Sequence, residues 1–179
     1  MSDLPSSKAA FQTEVLQARA RLWTFINKLK PEQFTAHRDP AGWTIRDHLY
    51  HLAMWEWGIV ALLRHEGRWE AMGLDVGFVR SSDIDVINEK LRQGGQRLST
   101  QETLDLLRRV QDDFDRVIDS LTDEDILKPY NEYTTEQRDE TDKRPILLWL
   151  VGDSSRHYEE HLPWMAALVA PSGAETEGS

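Results

Sequence analysis

His157 and His161 stand four residues apart in the segment RHYEEHLPW, near the end of a chain that holds six histidines in all. On a helix that spacing stacks both imidazoles on one face, where they can converge on a single divalent ion. Followed in steps of three and four, the face carries Ile146, Leu150, Asp153, His157, His161, Trp164 and Leu168, the stripe a helix turns inward. The bland alternative is a pair of hydrogen-bonded core histidines with no ion between them, since unpartnered imidazoles are costly to bury. A metal site needs a third donor, and His48 and His51 are the candidates. His51 lies roughly 10 Å along the axis from a helix cap at Thr44, and His161 about as far from the opposite end of its own helix, so antiparallel helices would bring them level. His51 also continues into Trp55 and Leu62 on an inward stripe, whereas His48 falls near the helix start and Arg46. The expected metal ligands are therefore His51, His157 and His161, with His48 at the rim.

Three neutral imidazoles leave the ion its full charge and an open position, as in catalytic rather than closed structural sites. Water bound there acidifies toward a pKa of about 7, and the same position can ionise a small thiol. The chain has no cysteine, so any thiol must arrive as a cosubstrate and any metal must rest on histidines and carboxylates. Asp153, one turn before His157, is expected to orient that imidazole through its second nitrogen, or else to serve as a buried capping residue. Glu56 and Tyr158 are weaker candidates for polar groups of a pocket. Seven tryptophans are many for this length, and Trp55 and Trp164 flank the ligands closely enough to wall a substrate cavity, core packing being the alternative for each. HYEEH also fits the inverted zincin pattern H-x-x-E-H, but those proteases need a further acidic ligand well downstream, and only 18 residues follow His161.

The elements that must hold these groups read as helices, because apolar residues return at three- and four-residue spacing and alternation never lasts. A first helix starts after Ser6 or Ser7, runs through Phe11, Val15, Leu22 and Ile26, and stops before Pro31. A second spans 44–66, with Thr44 and Asp47 as a capping box and Gly67 as its stop. A crossover follows, with a helical piece from about Asp83 to Arg92 that ends in Gly94-Gly95. A third long helix opens on Ser99 and Glu102 and turns Leu106, Val110, Phe114 and Val117 to one side. NEYTTEQRDETDKR reads as a charged surface loop too polar to pack, and a last helix runs from Pro145 to about Ala170. The expected fold is all-α, a four-helix bundle with a long crossover between the second and third helices, which then run parallel. Residues 1–170 form one domain and 171–179 a disordered tail.

A net charge of -10 opposes nucleic acid and anionic membrane surfaces as partners. Neither a leader peptide nor a membrane span is readable, so a cytoplasmic location is expected.

GWTIRDHLYHLAMWE together with HYEEHLPW resembles the DinB-like superfamily of bacterial four-helix bundles, over most of the chain. DIDVINEKLR and HYEEHLPWM are most similar to its ClbS/DfsB branch. The resemblance implies a divalent ion, nickel or zinc, held by one histidine of the second helix and an H-x3-H pair of the fourth. In this sequence those positions are His51, His157 and His161. It also implies a tendency to form homodimers, and chemistry that ranges from transferases and isomerases using mycothiol or bacillithiol to a hydrolase that opens a genotoxin's cyclopropane. The expected function is metal-dependent hydrolysis of a small electrophile or transfer of a low-molecular-weight thiol to it, in detoxification or stress response. The rival readings are a protein that sequesters a small molecule or metal without turnover, and a structural dimer that holds no metal.

Overall fold

In the computed structural model, which describes residues 4–135 and 141–170, side-chain caps set where the long helices begin. Ser7 accepts the Ala10 N–H at 3.1 Å and opens α1, Lys8–Ile26. Thr44 and Asp47 close a reciprocal capping box at the head of α3, Ile45–Leu63, and Ser99 and Glu102 close another at the head of α7, Thr100–Ser120. Each box satisfies amide groups that the first turn would otherwise leave without partners. Between them lie the short α2, Gln33–Ala36, and a crossover of α4, Arg68–Ala71, α5, Val76–Ser81, and α6, Ile84–Gly95. The chain closes with α8, Leu147–Gly152, and α9, Ser155–Ala167. No strand occurs among the described residues, so the chain is all-α.

Side-chain pairs fix the helix directions. Lys8 meets the end of α7 at Leu121, while Arg19 reaches Asp115 and Trp23 reaches Gln111, so α1 and α7 are antiparallel. Arg46 bonds Leu98 just before α7 and Arg64 bonds Asp113 within it, so α3 and α7 run parallel, as the long crossover requires. Glu14 meets Ser155 and Arg21 meets Glu159, which aligns α1 with α9 and sets α9 antiparallel to α3. A Cβ on Gly95 would lie 2.6 Å from the Tyr50 ring, so glycine is what lets the end of α6 press onto α3.

Three expectations need correction. The second helix ends at Leu63 rather than near Gly67: His65 takes φ 56, its N–H donates to Leu62 O and the Glu66 N–H to Ala61 O. That is a Schellman closure with histidine in the left-handed place usually held by glycine, and Gly67 instead precedes α4. On α7 the buried face is Thr103, Leu107, Val110, Gln111, Phe114 and Ile118, with Leu106 and Val117 at its edges. An apolar stripe misses this face because Gln111 is buried to bridge Trp23 and Tyr158. The last helix is not continuous from Pro145: it breaks at Asp153-Ser154, where Ser154 has φ -127 and ψ -97 and its hydroxyl bonds back to the Leu150 carbonyl.

The polar loop also packs more than its composition suggests. Tyr133 of the loop and Tyr130 just before it are buried in the core, and the Tyr133 hydroxyl donates to Asp125 O at 2.9 Å. Backbone bonds from Tyr130 to Arg144 and from Ile146 to Lys128, both 2.8 Å, tie the two ends of the loop together. Its centre, 136–140, and the expected disordered tail, 171–179, lie outside the described residues. No helix among the described residues is long and apolar enough to cross a membrane.

One polar network crosses the core. Arg19 of α1 pairs with Glu56 of α3 at 2.7 Å, and Glu56 accepts the Tyr158 hydroxyl from α9. Gln111 of α7 donates to that same hydroxyl at 3.2 Å. Glu56 is 0 % exposed, so Glu56 and Tyr158 serve the helix packing and do not line a pocket. Burial pushes the Glu56 carboxyl up, opposed by Arg19 and the Tyr158 hydroxyl. Burial would lower the Arg19 guanidinium, but Glu56, Tyr158 and Asp115 outweigh it and hold Arg19 charged.

Candidate metal centre

Because α3 and α9 are antiparallel, histidines three apart on one meet histidines four apart on the other as two rungs. His51 Nε2 faces His157 Nε2 at 3.1 Å, and His48 Nδ1 faces His161 Nδ1 at 2.9 Å. His51 and His161 stack across the rungs with centroids 4.8 Å apart. One ring nitrogen from each of His51, His157 and His161 lies within 4.8 Å of the others, so the expected ligands converge.

The donors suit a divalent ion. Two nitrogens bound tetrahedrally to one zinc ion stand about 3.3 Å apart, close to the separation of the two Nε2 atoms. The opposite Nδ1 atoms of His51 and His157 are buried without hydrogen-bond partners, so no other contact competes for the tautomer that leaves Nε2 free. Electrostatics keep the set neutral, as ligation requires. Burial holds His51 well below its ordinary value, helped by His157, His161 and His48. Burial, with the Arg68 charge behind it, lowers His157 to about 4. His161 falls to about 2 through burial and through His157 and His48.

The three imidazoles open into a cavity of about 1080 Å³ between the turn before α3, α6 and α9. Trp43 and Trp164 are among its apolar lining residues, and Asp85, Asn88 and Glu160 among its polar ones. Trp164 is 49 % exposed at the mouth and packs its ring 4.8 Å from His161. Trp55 lies behind the ligands, with His51 and His157 within 6.2 Å, and its indole N–H donates to Asn88 at 3.2 Å. Of the two expected wall residues, Trp164 lines this cavity and Trp55 buttresses it.

Two expectations about the surroundings are overturned. Asp153 does not orient His157: its carboxylate pairs with Arg68 at 2.7 Å, and His157 Nδ1 has no hydrogen-bond partner. The break before Ser155 takes Asp153 out of the helix that carries His157, and Arg68, seated against Trp55 and Trp69, meets it there. His48 is not a rim residue: it is 2 % exposed and touches His161 directly. Asp39 and Trp43 also escaped the sequence reading. Asp39 Oδ2 stands 3.2 Å from His48 Nε2, at ion-pair distance though not aligned as a hydrogen bond, and the Trp43 ring lies 5.3 Å from His48 and 5.1 Å from His51. A signal existed: with antiparallel helices, the spacing that sets His51 opposite His157 also sets His48 opposite His161.

An all-helical fold with a three-histidine donor set facing an open cavity defines the class: a helical protein with a candidate metal centre. Residues 14–161 match the DinB superfamily, and the chain belongs to that superfamily. None of the curated proteins matches it. Among solved structures, an uncharacterised protein from Escherichia coli UTI89 aligns with TM-score 0.68 and 19 % identity over 92 % of this chain and 94 % of its own. A protein from Streptococcus pneumoniae aligns with TM-score 0.68 and 15 % identity over 93 % of this chain and 92 % of its own. At such identities these two likenesses speak for the fold alone.

Proposed function

We propose that this protein is a divalent-metal-dependent enzyme that acts on a small electrophilic molecule, by hydrolysis or by transfer of a low-molecular-weight thiol, in detoxification or stress response. The observation that carries the reading is the convergence of the His51, His157 and His161 nitrogens on an open cavity rather than in a closed core. A zinc or nickel ion held by neutral imidazoles would supply a Lewis acid that polarises a substrate or lowers the pKa of a bound water or thiol.

The chain's own residues supply binding and shape. Trp43 and Trp164 give an apolar wall against which the carbon skeleton of a substrate can lie, shielding it from water. Asp85, Asn88 and Glu160 offer polar contacts in the same cavity. Burial of His51 and His157 keeps both imidazoles unprotonated at neutral pH and so ready as donors. With no cysteine in the chain, the nucleophile is either water or a thiol brought as cosubstrate. Resemblance to the ClbS/DfsB branch supports the hydrolytic option, and the wider superfamily the thiol option.

The test is metal content by mass spectrometry on protein purified without a polyhistidine tag, beside His51→Ala and His157→Ala. About one ion per chain in the native protein, lost in both variants, is expected. Incubation with electrophiles, with and without thiols, should then give turnover well beyond one equivalent. Saturation at one equivalent would replace the enzyme with a sequestering protein, and no metal uptake from zinc or nickel would overturn the reading.

A further inference from the structure

His48 and Asp39 form, with His161, a chain of contacts aimed at the candidate metal centre, and the chain begins in the turn before α3. The Asp39 N–H donates to Trp43 O at 2.9 Å, the Gly42 N–H to Asp39 O at 2.9 Å, and the Trp43 N–H to Asp39 Oδ1 at 2.8 Å. Gly42 sits at φ 85, which closes this turn without the strain a side chain would bring. With Oδ1 engaged, the other carboxylate oxygen, Oδ2, stands 3.2 Å from His48 Nε2, at ion-pair distance though not aligned as a hydrogen bond. His48 Nδ1 then meets His161 Nδ1 at 2.9 Å.

Proton placement along this chain is constrained. A carboxylate only accepts, so Asp39 favours the proton of His48 on Nε2. That leaves His48 Nδ1 as an acceptor. The short contact to His161 Nδ1 is then a hydrogen bond only if His161 carries its own proton on Nδ1. His161 Nε2 is left with its lone pair free.

We propose that Asp39 and His48 are positioning residues that fix the tautomer and ring orientation of His161, so that Nε2 is the nitrogen offered to a metal ion. The proposal rests on the metal-binding reading of the His51, His157 and His161 cluster, and its own observation is the Asp39 carboxylate at ion-pair distance from one His48 nitrogen while the other meets His161. Carboxylates commonly hold a ligand histidine from behind. Here a second imidazole is interposed, which lets a loop residue act on a ligand it does not touch. His51 and His157 have no such support, since both their Nδ1 atoms lack partners. His161 is thus the one ligand of the three that has a protein partner on the nitrogen opposite the one offered to the ion, since His51 and His157 meet only through their Nε2 atoms.

The experiment has two arms. In the first, chelator-stripped protein is titrated with zinc against a chromophoric competitor. His48→Leu should weaken zinc binding on the order of 10- to 100-fold, the usual effect of losing a residue that supports a ligand from behind. His48→Asn, whose carbonyl oxygen can replace the Nδ1 acceptor, should recover most of the loss. Asp39→Asn should also weaken binding about tenfold: an amide N–H facing His48 Nε2 reverses the proton order and puts the His161 proton on Nε2. Asp39 is only part-buried in a turn, so this variant tests the proposal even if His48→Leu fails to fold.

In the second arm, long-range proton–nitrogen NMR of the metal-free protein reads the His161 tautomer. A protonated Nδ1 in the wild type that shifts to Nε2 in Asp39→Asn is expected. A wild-type proton on Nε2, or zinc affinity of Asp39→Asn within twofold of wild type, would overturn the proposal. If the wild type takes up no zinc while the tautomer behaves as expected, the positioning stands and the metal reading falls.

Discussion

At the residue scale, the imidazoles of the cluster tie stability to proton uptake. Burial lowers His157 to about 4 and His161 to about 2, and holds His51 well below the value of a free imidazole. In the unfolded chain each returns to about 6.5, so below that pH the unfolded state binds protons that the folded state refuses. The stabilisation from neutral burial is therefore complete above about pH 6.5 and is lost as the pH falls toward the folded values. Each such imidazole costs about 1.4 kcal/mol per pH unit within its window. Urea midpoints of chelator-treated protein should drop steadily between pH 7 and pH 5, a range in which most carboxylates stay ionised. His157→Gln should flatten the slope. A midpoint independent of pH over that range would mean the cluster is hydrated enough to titrate normally.

Among the elements, what the sequence made legible and what it hid differ by the range of the contact responsible. The caps at Ser7, Thr44 and Ser99 were readable because a side-chain oxygen and the amide it serves lie three residues apart. The pairing of His157 with His161 was readable for the same reason. The break at Asp153-Ser154 was not, since Arg68, which holds Asp153, lies 85 residues away. His48 was misplaced because its outer partner, Asp39, sits in a turn whose shape no periodicity reveals.

Two glycines near helix ends show how far local propensity can be trusted. Gly95 and Gly152 would both gain up to about 1 kcal/mol as alanine on helix propensity alone. At Gly152 nothing lies within 4 Å of the added carbon, whereas at Gly95 the Tyr50 ring lies 2.6 Å away. Overpacking costs about 1–3 kcal/mol, enough to outweigh the propensity gain. Gly152→Ala should leave the denaturation midpoint equal or higher, and Gly95→Ala should lower it. Equal effects would show that α6 shifts freely on α3.

For the whole molecule, the network of Arg19, Glu56, Tyr158 and Gln111 is the feature that draws on all four long segments, α1, α3, α9 and α7. A buried ion pair is a poor source of net stability, because desolvating both charges offsets most of their attraction. What it supplies is discrimination among packings: a rotation of α9 that moved Tyr158 off Glu56 would leave the Oε2 atom of a carboxylate that is 0 % exposed without its donor, with Arg19 still paired to Oε1. Tyr158 is the neighbour of His157 in sequence, so the contact that fixes this rotation also fixes where the H-x3-H pair points. Glu56→Ala should cost about 3–5 kcal/mol, since it leaves Arg19 buried with only the half-exposed Asp115 as counter-charge. The combined Arg19→Met, Glu56→Leu, Tyr158→Phe variant should cost less than that single change, because no charge is then stranded. If α9 is oriented by the network, the combined variant should nevertheless bind zinc more weakly than wild type, by more than its smaller loss of stability accounts for. Full zinc affinity in that variant would show that the apolar packing of α9 alone sets the direction of its histidines.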